Sequence, residues 1–281
     1  MTQDPLGILH PGEMGASIAA AAAAAGHTVY WVAKGRSAAS AARAARAGLR
    51  DAGSLDELAR LCPVLLSVCP PEAAEALAGS VLAAGFRGLY VDLNAIAPQR
   101  AARMAQAMTA AGAEFVDGGL IGGPAWQPGT TAYLSGPAAD RAAACFAGSL
   151  LETVVLGPEI GKASALKMVY AAYSKGSTAL LLATLAAAEA LDVRADLQAQ
   201  WASGDGELAA QAEGRARRAT AKAWRFSGEM EEIAATFEAA GLPGGAYLAA
   251  AELFERLAGF KGAEPLPKLE EVLAALLKTN L

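Results

Sequence analysis

The sequence predicts an α/β N-terminal domain built on a doubly wound parallel sheet, followed by an all-α C-terminal domain and joined to it by one long helix. Three observations lead there. Short apolar runs alternate with helical segments from Leu6 to Ser135, a glycine-rich turn separates the first run from the first helix, and beyond Gly161 the strand-like runs stop. Strands separated by helices imply parallel pairing. Short, continuously apolar strands are what a sheet covered on both faces requires. The change from alternation to pure helix sets the boundary near Gly157-Pro158, giving domains 1–158 and 159–281.

The elements follow in order. Leu6–Leu9 reads as the first strand and Met14–Ala25 as the first helix, with a Gly/Pro turn between them. Thr28–Val32 is the second strand and Ser37–Ala47 the helix after it. Val64–Val68 is the third, ended by Pro70-Pro71, and Pro71 suits the first turn of a helix. Gly88–Asp92 is the fourth, followed by a helix over Gln99–Ala111; Glu114–Asp117 and Thr131–Ser135 are the fifth and sixth. The second half reads as helices over Lys162–Leu191, Glu207–Trp224, Glu229–Ala240, Gly245–Leu257 and Lys268–Leu277.

Composition excludes several classes. Hydrophobic residues make up 54% and charged residues 18%, so the chain has the means to bury a core and does not read as disordered. A net charge of −5 with no Lys/Arg run argues against a nucleic-acid partner, and Arg43, Arg46 and Arg50 read as one solvated helix face. Cys62, Cys69 and Cys145 are odd in number and lack any CxxC pairing, which fits reduced thiols in a cytoplasmic protein. With only His10 and His27, no His-rich metal centre is expected. No run of 18 strongly apolar residues suggests a membrane span, and Met1–Asp4 carries no basic leader.

The turn after the first strand is Gly7-Ile-Leu-His-Pro-Gly12-Glu-Met-Gly15. Glycines here let a backbone approach a pyrophosphate, whose charge is favoured at a helix N-terminus. The strict GxGxxG spacing is broken by His10, so a plain βα turn stands beside the dinucleotide reading. At the end of the second strand an NAD site expects a carboxylate for the ribose hydroxyls. The segment is instead Ala33-Lys34-Gly35-Arg36-Ser37, whose Lys34, Arg36 and Ser37 suit a 2′-phosphate or form an ordinary basic loop.

With these motifs in order, the chain resembles the β-hydroxyacid dehydrogenases, the group that includes 3-hydroxyisobutyrate and 6-phosphogluconate dehydrogenases and shares its architecture with imine reductases. Pro11-Gly-Glu-Met-Gly15 is similar to the cofactor loop, Ser67-Val-Cys-Pro-Pro71 to the strand end beside the nicotinamide, and Asp92-Leu-Asn-Ala-Ile-Ala-Pro98 to the segment after the fourth strand. Asp117-Gly-Gly-Leu-Ile-Gly-Gly-Pro124 resembles the substrate loop, and Gly161-Lys-Ala-Ser-Ala-Leu-Lys167 the start of the interdomain helix that carries a catalytic lysine. Lys222–Arg225 and Glu229–Ile233 resemble a phosphogluconate dehydrogenase-like branch with its own C-terminal helical domain.

The resemblance implies a Rossmann domain binding NADP(H) through His10, Pro11, Gly12, Glu13, Met14, Gly15, Lys34, Arg36, Ser37, Cys69, Pro70 and Asn94. It implies Lys167 as the proton source for hydride chemistry on a small carbonyl or hydroxy compound. Apolar neighbours such as Leu166 and Met168 suit a partly desolvated lysine of lowered pKa. Asn94, Gly122 and Gly123 are expected beside substrate. Two positions depart from the family: Ile121 stands where it has serine and Ala171 where it has asparagine. Helical spacing puts Tyr170, Ser174 and Lys175 near the face of Lys167, where they could replace those contacts. Imine reduction, and an NADP(H)-binding sensor or structural module without turnover, are the competing readings. Gly176 and the apolar Leu180, Leu181, Leu182, Leu185 and Ala186 lead us to expect a homodimer with interlocked helical domains, with Trp224–Met230 completing the partner's site.

Overall fold

The computed structural model describes residues 3–204 and 206–278. The chain divides into two compact units, Met1–Met168 and Val169–Leu281. The division falls inside the long helix, so its first two turns belong to the first unit.

The first unit is an eight-stranded sheet in the order β3-β2-β1-β4-β5-β6-β7-β8. The strands are β1 (Leu6–Ile8), β2 (Val29–Trp31), β3 (Arg50–Asp51), β4 (Val64–Ser67), β5 (Leu89–Asp92), β6 (Glu114–Ile121), β7 (Thr130–Ser135) and β8 (Leu151–Val155). Strands β1 to β6 pair in parallel. Helices α1 (Glu13–Ala24), α2 (Ala38–Arg46), α3 (Leu55–Leu61), α4 (Ala74–Ala83), α5 (Pro98–Ala110) and α6 (Ala139–Ala144) connect the strands. Two buried clusters are built on the sheet. One gathers Ile8, Ile18, Leu66, Val91 and Val116, the other Leu65, Tyr90, Met104, Met108 and Phe115. Successive residues such as Leu65 and Leu66 fall into different clusters, as side chains alternating across a sheet must.

Three details of the sheet depart from the sequence reading. β7 runs antiparallel to β6, because residues 122–129 join them, and a parallel crossover needs a dozen or more residues. β3 and β8 were not anticipated. β3 is two exposed polar residues, and β8 leaves Glu152, Val154 and Val155 exposed, so neither carries the continuous apolar signal of a central strand.

The second unit holds the rest of α7 (Lys162–Ala190), with α8 (Arg194–Gly204), α9 (Gly206–Ala239), α10 (Gly245–Arg256) and α11 (Leu269–Leu277). Two helices were expected where α9 runs unbroken for 34 residues, about 51 Å. Ala212, Ala216, Ala219, Ala223, Met230, Ile233 and Ala234 form one buried stripe that runs across Gly228. That packing outweighs the roughly 1 kcal/mol helix penalty of a glycine. Among the described residues, no helix is long and apolar enough to cross a membrane, and no three His, Cys, Asp or Glu side chains come together to hold a metal ion.

Candidate active site

The sheet order reverses between β1 and β4, and in an open α/β sheet ligands bind at the carboxyl ends of strands beside such a switch point. Four parallel neighbours, β1, β4, β5 and β6, present their carboxyl ends along one edge, about 14 Å across.

At β1, residues His10–Gly12 lead into α1. Gly12 is the N-cap and no side chain caps the helix, so the first N–H groups of α1 are offered outward. A Cβ on Gly12 would meet nothing within 4 Å, whereas one on Gly15 would lie 2.0 Å from His10 O. Gly15 therefore permits the close packing of helix on loop, and Gly12 keeps an open cradle at a positive helix end. These features fit a dinucleotide pyrophosphate. Glu13 is exposed beside it, while Met14 packs against the core.

The loop is braced from the β2–α2 side. Arg36 donates to the His10 ring at 2.9–3.0 Å and to Leu9 O at 3.1 Å, and Arg43 Nε donates to Pro11 O at 3.0 Å. Burial and the two guanidinium charges push the His10 pKa below its ordinary value, which keeps the ring neutral. Ser37 caps α2 by accepting from Ser40 N, and Lys34 is exposed just before it. The arginines correct the reading of a solvated face: Arg43 grips the loop, Arg46 lies 4.1 Å over the Trp126 ring, and Arg50 is in β3. An acid also stands at the end of β2 after all. Asp51, from β3, accepts from Ala33 N and Gly53 N, and these backbone donors hold its pKa low.

At β4 and β5 the structure corrects the role expected of Asn94. The residue is buried, its amide NH₂ donates to Ser67 Oγ and Asp92 Oδ1, and its Oδ1 accepts from Cys69 N at 2.6 Å. Both amide donors are thus committed to bracing the strand ends, and a direct substrate contact is not what the geometry provides. Cys69, half-buried ahead of Pro70, has its thiol pushed up to about 12, first by burial and then by the Asp92 charge. Burial, reinforced by Asp117, raises Asp92 to about 8.

At β6, Gly118 and Gly119 admit their neighbours. A Cβ on Gly119 would sit 2.7 Å from Lys167 Cβ and 2.9 Å from Ala163 O, so α7 crosses the strand at contact distance. Asp117 fixes that crossing. Its Oδ2 accepts from Gly161 N, Ser164 N and Ser135 Oγ, and its Oδ1 from Ser164 Oγ, placing a carboxylate at the start of α7 where the helix dipole favours it. Lys167, half-buried, then donates from Nζ to Leu120 O at 2.8 Å, which sets its ammonium at the carboxyl end of β6. Ile121 is half-buried, and Gly122 and Gly123 are exposed. Gly122 has φ +129°, which only glycine adopts readily.

The remaining expected residues lie in the second unit. Tyr170 and Ser174 are exposed on α7, and Ala171 is buried. Lys175 is corrected: its Nζ pairs with Glu229 Oε2, both side chains being nearly buried, so its charge is matched within the chain rather than offered to an acidic substrate. A Cβ on Gly176 would lie 3.5 Å from the Tyr247 ring of its own chain, and Leu181, Leu182, Leu185 and Ala186 are buried; only Leu180 of that group is exposed. Sequence reasoning missed Arg43, Asp51 and the Asp117–Ser164 pair as site supports; Ser164 three residues after Gly161 was the available helix-start signal.

A family model described as the NAD binding domain of 6-phosphogluconate dehydrogenase matches residues 6–147, half of the chain. A second, a domain of unknown function (DUF1932), matches residues 188–257. The chain belongs to the β-hydroxyacid dehydrogenase superfamily. This superfamily member is similar to a conserved protein of unknown function described as structurally similar to 3-hydroxyacid dehydrogenases (27% identity, TM-score 0.65, covering 91% of this chain and 97% of that one). It shares its fold with Mycobacterium tuberculosis 3-hydroxyisobutyrate dehydrogenase (19%, 0.68, 98% and 100%) and with an Aspergillus terreus reductive aminase in complex with NADPH (24%, 0.55, 97% and 99%). No curated protein sequence matches. Membership makes the chain a nicotinamide dinucleotide-binding oxidoreductase.

Proposed function

We propose that this oxidoreductase is NADP(H)-dependent and acts on a small carbonyl compound or the matching hydroxy compound. The observation that carries this reading is the Lys167 ammonium at the carboxyl end of β6, on the same sheet edge as the Gly12 cradle. His10–Gly15 would hold the pyrophosphate, with Cys69 and Pro70 at the neighbouring strand end. Lys34, Arg36 and Ser37 would take the 2′-phosphate. Arg36 already reaches the loop, and a phosphate would exchange its carbonyl partner for a stronger charge-assisted one. A bound nicotinamide supplies or accepts the hydride. Lys167 Nζ donates a proton to the substrate oxygen and stabilises the developing alkoxide. The exposed Gly122 and Gly123 would offer their N–H groups to a substrate anion.

The apolar Ile121 and Ala171 are what favours imine reduction as a second reading, while an ammonium donor suits oxygen better. Cofactor choice is checked by titrating NADPH and NADH. NADPH should bind about ten- to hundredfold tighter, the equivalent of about 1.5–3 kcal/mol for charged hydrogen bonds, and Arg36→Ala should remove most of that preference. Equal affinities would contradict the 2′-phosphate reading.

We also infer a cytoplasmic homodimer in which a second copy covers α7. Val169, Tyr170, Tyr173 and Leu180 form an exposed apolar stripe, with Tyr173 82% exposed. Sedimentation at micromolar concentration should give a dimer, and a monomer would refute it.

A further inference from the structure

The β6–β7 loop, residues 122–129, is lightly held: Gly122, Gly123, Gln127, Pro128 and Gly129 are exposed. Thr130 Oγ1 donates to Gly123 O at 2.6 Å and closes the loop on itself. Ala125 N donates to Ser17 Oγ at 2.8 Å, which ties the loop to α1. The Arg46 guanidinium, 4.1 Å from the centre of the half-buried Trp126 ring, ties it to α2.

α2 itself is a short helix with one buried residue, Ala44. With so little core contact, its position depends on what holds its ends and its arginine face. Arg43 and Arg46, three residues apart, share that face. The first grips Pro11 O in the cofactor loop and the second grips Trp126. At its N-terminus stand Lys34, Arg36 and Ser37. One thinly anchored helix thus touches the candidate phosphate seat, the cofactor loop and the candidate substrate loop, all within the first unit.

We propose that α2 relays occupancy of its N-terminal phosphate seat to loop 122–129, with Trp126 as a positioning residue gripped by Arg46. The relay rests on the 2′-phosphate reading above. A phosphate that holds α2 at one end favours the helix position in which Arg46 covers Trp126 at the other. The ligand's preference for that position is what orders the loop.

Adenosine 2′,5′-bisphosphate is the probe, because it carries the 2′-phosphate and lacks the nicotinamide. Binding is measured by calorimetry, and hydrogen exchange is read at the six non-proline amides of 122–129. The bisphosphate should bind and slow exchange about two- to fivefold, the scale of one exposed cation–π contact; adenosine 5′-phosphate should slow it less. Arg46→Ala and Trp126→Ala, with unfolding temperatures near that of the parent, should still bind the bisphosphate, weakened by no more than the same two- to fivefold coupling, and lose the protection, while Trp126→Phe should retain it. Binding without protection in the parent, or protection that survives Arg46→Ala, would overturn the relay and leave the 2′-phosphate reading standing. Failure of the bisphosphate to bind would overturn that reading and the relay together.

Discussion

Two lysines of α7 are held in different ways. In the first unit, Lys167 is held by a backbone carbonyl at the end of β6. In the second, Lys175 is paired with the carboxylate of Glu229 and lies 5.0 Å from the centre of the Phe226 ring. A carbonyl orients an ammonium, whereas a nearly buried carboxylate neutralises it. The same residue type, eight positions on along one helix, is thus a candidate for chemistry in one unit and an anchor for helix packing in the other. The lesson extends to the units as wholes. Polar side chains of the first unit, Asn94, Asp117, Arg36 and Arg43, hold backbone groups at strand ends, and so fix the edge on which a ligand would sit.

The largest expected effect sharpens the comparison directly. Lys167→Ala should lower turnover about 10²–10⁴-fold, the range for loss of a general acid, with NADPH affinity little changed. Steady-state kinetics beside cofactor titration checks this. Lys175→Ala should do the reverse: removing the ammonium beside the nearly buried Glu229 carboxylate should lower stability by denaturant unfolding, with turnover little changed. A turnover loss for Lys175→Ala in a chain of undiminished stability would break the distinction between the two lysines.

Gly15→Ala tests the cradle. The added methyl meets His10 O, so about 1–3 kcal/mol of strain is expected, along with weakened dinucleotide binding. Gly12→Ala, with open space around its Cβ, should leave stability nearly unchanged and weaken only the dinucleotide. Equal stability losses for both would count against this division of roles.

A further prediction concerns the pH dependence of the strand-end brace. The folded chain keeps Asp92 protonated up to about pH 8, while the unfolded chain releases that proton near 4. Between those values the native state binds more protons, so this group lowers stability as pH rises through that window and adds no further change above it. Asp92→Asn should flatten thermal stability against pH over that range. An unaltered profile would place the proton elsewhere.

The fold class was legible because the central strands are continuously apolar and the helices between them are bounded by glycine and proline. The edge strands were not: Arg50-Asp51 carries no burial signal, and β8 is half exposed. The direction of β7 was set by the short 122–129 link rather than by any residue of the strand. The continuity of α9 was not legible either, because the buried stripe that joins Glu207–Trp224 to Glu229–Ala240 is a matter of tertiary packing. At the site, residue types revealed which positions stand on the sheet edge. Their partners are long-range facts. Asn94 braces Cys69 from 25 residues away, Lys175 meets Glu229 from 54, and Asp51 reaches the end of β2 from a strand with no signal of its own.

The central claim, turnover by an NADP(H)-dependent enzyme with Lys167 as its acid, is tested most directly by isotope transfer. NADPH deuterated at the transferable C4 position is incubated with the protein and a panel of small aldehydes, 3-oxo acids and cyclic imines, and the products are read by mass spectrometry. The account predicts deuterium in the alcohol from at least one carbonyl compound, at a rate that falls about 10²–10⁴-fold in Lys167→Ala. Tight NADPH binding with no deuterium reaching any member of the panel, or label confined to amines and indifferent to Lys167, would contradict it.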